Sequence, residues 1–377
     1  MERFDAIVVG AGPAGSTAAY RLSRAGARVL LLDRERFPRD KPCGGGLTYR
    51  AVRQLPVSVE PVVEDTVRRV QLGFRYGPRF ERQTEGPLIL MTQRRRLDAH
   101  LAEQAAAAGA DFRDGVRATA LETDDEGVTV RFGGSAASAP VAIGADGVNG
   151  LTVRALGLAG RREHGVALEG NVSHVHARED YRGRAVVELG AVPGGYAWVF
   201  PKGDHVNVGV GGWESEGPRL RAHLERACAA YGTPAERLES VRGYRLPMRR
   251  PGDRARSGRV LLVGDAAGLV DPLSGDGMYE AFASARLAAE SVLRDELDGY
   301  ESALDRELGR SFAASWKAKY ALERFPRLLF GVARLPPVWG FVSAFLRGDL
   351  AHPGDATGLV RAPLRLVETL GASRHSA

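Results

Sequence analysis

Phe4-Asp5-Ala6-Ile7-Val8-Val9-Gly10-Ala11-Gly12-Pro13-Ala14-Gly15 runs from an apolar stretch straight into the pattern G-x-G-x-x-G. Ala6 to Val9 is apolar at every position, as a strand buried on both faces must be. Ser16 to Ala25 continues as a helix, and a second apolar strand, Arg28 to Leu32, ends on Asp33. In such a unit the helix N-terminus receives a pyrophosphate. Gly10 makes the tight turn, Gly12 lets the backbone approach the phosphates, and Gly15 lets helix and strand pack closely. Asp33 stands where an acid accepts a ribose hydroxyl, with Arg34 beside it. The expected fold is therefore α/β with a Rossmann-like parallel sheet.

A second fingerprint lies far down the chain. Arg259 to Val263 is another apolar strand, ending on Gly264-Asp265, and Asp271-Pro272-Leu273-Ser274-Gly275-Asp276-Gly277-Met278 leads into a long Ala-rich helix. FAD is long enough to need contacts at both places. Asp265 is placed to accept ribityl hydroxyls. A helix beginning near Gly277 aims its positive end at the flavin edge, where reduction builds negative charge. The two fingerprints together select FAD, with Gly264, Asp265, Gly275, Gly277 and Met278 as its distal contacts.

Because the fingerprints bracket everything between them, the cofactor domain is discontinuous. Residues 1–55, 88–157 and 258–310 are assigned to it. Within it the spacing predicts a helix over Leu97–Ala108 and strands at Val128–Phe132 and Val141–Gly144. Residues 56–87 and 158–257 alternate apolar and polar in short runs, such as Ala185-Val186-Val187-Glu188-Leu189, which is antiparallel sheet texture. They are assigned to one inserted substrate-binding sheet, with a helix over Pro218–Tyr231 crossing its back and Cys228 inert in the core there. Residues 311–377 form a C-terminal helical segment broken at Pro326 and Pro336-Pro337. Its apolar helices either close the substrate domain or meet lipid as an interfacial patch.

The chain has 377 residues, 44% of them hydrophobic and 26% charged, which is enough for a large core. The net charge of +6 is almost wholly arginine, since lysine occurs only at positions 41, 202, 317 and 319. The densest basic run, Arg94-Arg95-Arg96, has no interleaved aromatics, so nucleic acid is not an expected partner. Two cysteines far apart give no disulfide framework. No secretory leader precedes the first strand and no apolar run reaches the ~18 residues of a span. The expected location is cytoplasmic, with peripheral contact on the inner face of the membrane. His174 and His176 flank one position on an expected strand, but no third ligand accompanies them, so no metal site is assigned.

Five segments resemble the geranylgeranyl reductase family of FAD-dependent oxidoreductases, within the wider class that shares the fold of flavin-dependent aromatic hydroxylases. They are Gly10–Gly15, Lys41-Pro42-Cys43-Gly44-Gly45-Gly46-Leu47, Gly144-Ala145-Asp146-Gly147, Tyr196-Ala197-Trp198-Val199-Phe200-Pro201, and Gly264–Gly277. The second and fourth, with Gly209 and Gly211 following, are what distinguish the reductases from the hydroxylases. By position Arg94 resembles the family's FAD-contacting arginine, with Leu97 where the family usually has Phe. Val116, Cys43, Gly44 and Gly45 join the cofactor set. Gly275-Asp276-Gly277-Met278 replaces the family's frequent Gly-Glu-Gly-Ile.

The resemblance implies reduction of an isolated C=C bond in a prenyl, geranylgeranyl-type chain. Such an alkene has no carbonyl to polarise it, so flavin hydride must be accompanied by a proton. Cys43, in its glycine-rich loop, is the candidate acid; a thiol of reference pKa about 8.5 is protonated at neutral pH. Tyr196, Trp198 and Phe200 alternate and so share a strand face. They are candidates for the substrate wall, and Tyr196 and Trp198 for a catalytic part through cation–π stabilisation of developing charge. Burial of hydrocarbon is worth roughly 0.8 kcal/mol per methylene, so the tail supplies most of the binding. Either NADPH or a ferredoxin-type donor fits as the reductant. The alternatives are an FAD-dependent monooxygenase acting on a small molecule, a diverged family member reducing a non-prenyl alkene in secondary metabolism, and a non-catalytic electron carrier.

Overall fold

A computed structural model describes residues 1–158 and 163–372. Residues 159–162 and 373–377, which fall in the expected sheet insertion and the C-terminal segment, lie outside the described residues.

The strand Ala6–Val9 is the middle of a six-stranded sheet. Its neighbours run Val29–Leu32 and Asp111–Arg113 on one side, and Ala142–Gly144, Val260–Leu262 and Arg256–Ser257 on the other. All pairs are parallel except the last. Ala6, Val8 and Leu31 pack with the helices Pro13–Arg24 and Met278–Leu293 on one face. Ile7, Val9, Leu30 and Leu32 pack on the other against Val128, Val130 and Phe132 of a second sheet. That second sheet is the meander Ala118–Thr123, Val128–Phe132, Ser135–Ala139, with Glu2–Arg3 added in parallel. Both faces of the parallel sheet are thus covered, which is why its strands are apolar throughout. Gly10 turns at φ +104°, and a Cβ on Gly15 would lie 1.8 Å from the Gly10 carbonyl oxygen, so only glycine lets helix and strand pack here.

The inserted sheet has seven strands. Their order is Glu239–Met248, Glu163–Ser173, His205–Trp213, Tyr196–Pro201, Arg184–Leu189, Arg69–Phe74, Arg79–Gln83. The expectation of a purely antiparallel sheet needs correction. Arg69–Phe74 joins Arg184–Leu189 in parallel, because the two strands come from separate insertions and no hairpin connects them. Part of the first insertion also leaves this sheet. Asp65–Val67 pairs with Ile89–Met91, which pairs with Gly46–Thr48, in a small three-stranded sheet that ties both assigned units together. The back of the seven-stranded sheet, with Ala197, Val199, Val208 and Val210, is sealed by the helix Leu220–Ala230. Cys228 lies in that core at 1% exposure, where burial pushes its thiol pKa up.

His174 and His176 sit in a 3-10 turn, not on a strand, and His174 is engaged by the Lys202 carbonyl at 2.9 Å. The expected helix over Pro218–Tyr231 begins later, after a 3-10 stretch at Glu214–Arg219. The C-terminal helices are Arg310–Arg324, Pro326–Ala333, Pro336–Arg347 and Arg361–Ala372. Among the described residues no single helix is long and apolar enough to cross a membrane, and Pro326–Ala333 meets Pro336–Arg347 at 84°.

Candidate active site

A cleft of about 1040 Å³ runs between the C-terminal ends of the parallel strands and the open face of the seven-stranded sheet. Ligands in doubly wound sheets bind at that edge, where strand order reverses. One half of the wall is built from Gly10, Gly12, Pro13, Ala14, Asp33, Arg34, Arg94 and Val116, continuing through Gly264, Asp265, Gly275, Gly277 and Met278. The opposite half holds Cys43, Gly44, Gly45, Tyr196, Trp198 and Phe200. Two fingerprints more than two hundred residues apart therefore share one cleft with the Cys-Gly-Gly loop and the aromatic strand. Gly15 is the exception, since it does not line the cleft; its contribution is the packing described above.

The cradle has the features of an anion site. Ala14 and Gly15 occupy the first turn of their helix, and their backbone N–H groups have no acceptor among the described residues. Asp33 accepts from Ala11 N at 2.8 Å and Glu35 N at 3.0 Å, which fixes its carboxylate at the end of its strand. Val116 N donates to the Asp33 carbonyl at 2.8 Å, so Val116 is carried into the wall by the same residue. Arg94, 6% exposed, makes a bidentate pair with Asp98, both contacts at 2.7 Å, and Arg39 reaches Asp98 at 2.8 Å. At the far end Asp265 accepts from Lys41 Nζ at 2.9 Å and from the Tyr244 hydroxyl at 2.6 Å. Burial alone would raise the Asp265 pKa, but Lys41 and Tyr244 hold it below the ordinary value. Gly277 is the N-cap of the Met278–Leu293 helix, whose positive end thus opens into the cleft.

Across the cleft, Tyr196, Trp198 and Phe200 form a row with ring centroids 5.9 and 6.2 Å apart. The Trp198 Nε1–H donates to Asn207 Oδ1 at 2.8 Å, and Asn207 Nδ2 donates to Asn171 Oδ1 at 3.0 Å. The indole lies against Gly209, where a Cβ would come within 2.0 Å of its ring. The Cys43 loop abuts this row, with the Cβ position of Gly44 only 3.0 Å from the Phe200 ring. The Cys43 N–H donates to Glu169 Oε1 at 2.6 Å, and Gly45 N–H donates to Cys43 Sγ at 3.4 Å. Burial raises the Glu169 pKa, so its carboxyl holds a proton more readily than a free one. Lys202, 3% exposed, sits behind the loop and donates to the Thr92 carbonyl at 2.7 Å. Val70, Leu72, Ile89, Trp339, Val342 and Leu346 extend the wall as an apolar chamber, the last three from the C-terminal helix Pro336–Arg347.

Sequence reasoning missed Glu169, Asn207, Lys41, Tyr244 and Lys319 as wall or supporting residues. Two signals were present. Asn207 stands between the apolar Val206, Val208 and Val210 on the face that carries the aromatic row, and lysine is rare enough in this chain that Lys41 and Lys319 stand out.

The family described as FAD binding domain matches residues 3–291. The chain is 34% identical over 351 residues to a menaquinone reductase of Mycobacterium tuberculosis, covering 86% of this chain and 85% of the relative. It is 33% identical over 305 residues to digeranylgeranylglycerophospholipid reductase 1 of Methanopyrus kandleri, covering 76% and 80%. A geranylgeranyl bacteriochlorophyll reductase-like structure from Thermoplasma acidophilum superposes with a TM-score of 0.77 at 23% identity, covering 99% of this chain and 98% of that one, which is a likeness of fold.

Proposed function

Because this chain belongs to the geranylgeranyl reductase family of FAD-binding oxidoreductases, we propose that it saturates C=C bonds of a prenyl chain, adding a hydride and a proton. The observation that carries this reading is the position of the Cys43–Gly45 loop. It lies between the dinucleotide cradle and the Tyr196–Trp198–Phe200 row, in one cleft whose far wall is apolar. A relative named for a geranylgeranyl-bearing lipid supports the prenyl tail.

The residues fit FAD. The cradle at Gly10–Ala14 takes the pyrophosphate, Asp33, Arg34 and Val116 the adenosine half, and Arg94, Asp265, Gly264, Gly275, Gly277 and Met278 the remainder. Cys43 and Gly44, in the wall of the same cleft, would hold its reacting end. When bound and reduced, FAD supplies the hydride. The protein does the rest. The chamber of Val70, Leu72, Ile89, Trp339, Val342 and Leu346 excludes water and seats the tail. The aromatic row confines the alkene and favours developing positive charge at its carbon. The proton enters from solvent through Cys43, whose backbone is held by Glu169. NADPH or a ferredoxin-type protein would serve as the electron donor, and the substrate would reach the cleft from a lipid surface.

The test is anaerobic. Reduced flavoprotein is offered a prenyl alkene in deuterated water, and then oxygen with aromatic substrates. One solvent deuterium per saturated double bond is expected. The Cys43→Ala variant should retain FAD yet lose at least ten-fold in turnover, because it lacks proton delivery and not the cofactor. Hydroxylation of an aromatic without alkene reduction overturns the reading in favour of a monooxygenase.

A further inference from the structure

We propose that Glu169 is the proton store behind Cys43: once Cys43 has given its proton to an alkene, the Glu169 carboxyl returns one to the thiolate and readies the loop for the next double bond. The proposal rests on the prenyl-reductase reading of the cleft, and within it Glu169 acts through Cys43 and not on the substrate.

Strand register puts the carboxyl in place. Trp198, Gly209, Glu169 and Arg242 stand opposite one another in a single row across neighbouring strands of the seven-stranded sheet. Gly209 adds no side chain to that row and the Trp198 indole lies over it, so the carboxyl is the next side chain along. Among the described residues Glu169 is the one carboxylate that this sheet contributes to the cleft wall. It is held at two points. The Cys43 N–H donates to its Oε1 at 2.6 Å. The Asn207 amide, which accepts from the Trp198 indole, also bonds the carboxyl. Glu169 therefore touches the loop that carries the acid and, through Asn207, the row that confines the alkene. The Cys43 Sγ in turn accepts from the Gly45 N–H at 3.4 Å, a contact that steadies a thiolate once the proton has left. As an anchor for one backbone N–H an amide would serve equally well. What an amide lacks is an exchangeable proton beside the thiol.

The surrounding charges let Glu169 keep a proton and replace it. Burial raises its pKa, Asp40 adds to the rise, and Lys202 and the bonds from Cys43 and Asn207 oppose it. Lys202 is 3% exposed, is bonded to the Thr92 carbonyl, and is itself harder to charge because of burial. Arg242, next in the row, is taken by Asp40 at 3.1 Å, and Lys41 by Asp265 at 2.9 Å. Asp40 and Arg242 also line the cleft, and each is roughly half exposed, so that pair marks the way for water to reach the carboxyl. The step balances. In each saturation the alkene gains a hydride from the reduced flavin at one carbon. At the other it gains the proton released as the Cys43 S–H bond breaks, and the electron pair stays on sulfur. The Glu169 O–H bond then breaks, the S–H bond re-forms, and the carboxylate takes a proton from water. The transfer runs downhill, since a thiolate is a stronger base than a carboxylate.

The test has two arms, both on FAD-loaded protein. In the first, Cys43 is alkylated with iodoacetamide; Cys228, 1% exposed, is shielded in the folded chain. An ionised carboxylate opposes the thiolate, so at about pH 8.5 Glu169→Gln should react roughly three-fold faster than wild type. In the second, geranylgeranyl diphosphate or menaquinone is offered anaerobically with excess dithionite, and the products carrying one, two or more saturated bonds are resolved by mass as pH is varied. The wild-type rate of the later saturations should fall as pH rises through the Glu169 titration, which lies above the ordinary carboxylate range. Glu169→Gln keeps an acceptor for the Cys43 N–H. It should lose that pH dependence and slow the later saturations at least ten-fold more than the first. Asp40→Asn removes a charge that raises the Glu169 pKa, so it should keep the pH dependence and move it to lower pH. Equal slowing of every saturation, a pH dependence that persists in Glu169→Gln, or unchanged alkylation makes Glu169 an anchor of the loop and overturns the proposal. Asp40→Asn leaves Glu169 itself intact, and a profile that stays where it was overturns it as well. Faster alkylation of Glu169→Gln with saturation of neither probe by wild type means that the prenyl reading has failed, and the proposal falls with it.

Discussion

Asp276 enters the cleft wall one residue before the helix cap, and its Oδ1 accepts the Met278 N–H at 2.9 Å. Burial pushes its carboxyl from 3.8 up to about 6, with Asp271 adding to the rise and the Met278 hydrogen bond opposing it. A carboxyl harder to ionise in the folded state than in the unfolded chain stabilises the fold only while protonated. That stability is fully present below pH 3.8 and is lost as pH rises through about 6. Asn at this position keeps an acceptor for Met278 and cannot ionise. Asp276→Asn should therefore match the wild-type Tm at pH 4 and exceed it by a few degrees at pH 7.5. Thermal melts at the two pH values check this, and a constant difference between them would count against it. Residues of this kind were hidden from the sequence. The G-x-G-x-x-G turn was legible because each glycine answers a local steric demand. Asp276, Glu169 and Lys319 matter through burial by segments far away in the chain.

The aromatic strand shows what element-scale reading reaches. Alternation put Tyr196, Trp198 and Phe200 on one face, and they share the cleft wall. What alternation could not show is the pairing of Trp198 with Gly209 on the neighbouring strand. That pairing lets the indole lie flat, because a Cβ there would intrude to 2.0 Å. Gly209→Ala must tip the ring, and so strain or break its 2.8 Å bond to Asn207. Overpacking of this sort costs about 1–3 kcal/mol, and the hydrogen bond about 1 kcal/mol more. The expected result is a Tm several degrees lower and KM for a prenyl substrate raised about ten-fold, with FAD content preserved. Unchanged KM would mean that the indole does not shape the substrate path. The parallel join between Arg69–Phe74 and Arg184–Leu189 was beyond reach for a related reason. Strand partners are set by tertiary packing, and the sequence carries only the texture of each strand. The turn at His174–His176 failed differently, since two residues spaced by one satisfy a strand pattern by chance.

At the scale of the whole molecule, the C-terminal helices do the first of the two jobs that their composition allowed, closing the chamber, and the second is open to test. The inner side of Pro336–Arg347 gives Trp339, Val342 and Leu346 to the cleft. Leu335, which precedes that helix, and Leu328 on Pro326–Ala333 remain 43% and 44% exposed. Phe330 is 6% exposed, held between Phe74 and Phe80, so this pair of helices is fastened to the substrate sheet and not merely appended. The same helices thus border the chamber on one side and offer leucines to the outside on the other. A prenyl lipid leaving a bilayer at Leu328 and Leu335 would pass directly to Trp339. The 84° bend and the short helices suit lying on a surface and exclude a single straight span. Arg324, Arg327 and Arg334 have no carboxylate within 4.0 Å among the described residues, and each arginine near an anionic surface contributes about 1 kcal/mol. Binding to anionic vesicles should therefore be reversible and should fall as salt shortens the Debye length. Flotation of the holoprotein with phosphatidylglycerol vesicles at low salt should recover most of it. Leu335→Glu should release it while FAD content stays unchanged, because that side chain reaches neither the cradle nor the cleft. Failure of the intact protein to float would leave these helices with the single role of closing the chamber, and delivery of the substrate would then require a carrier in solution.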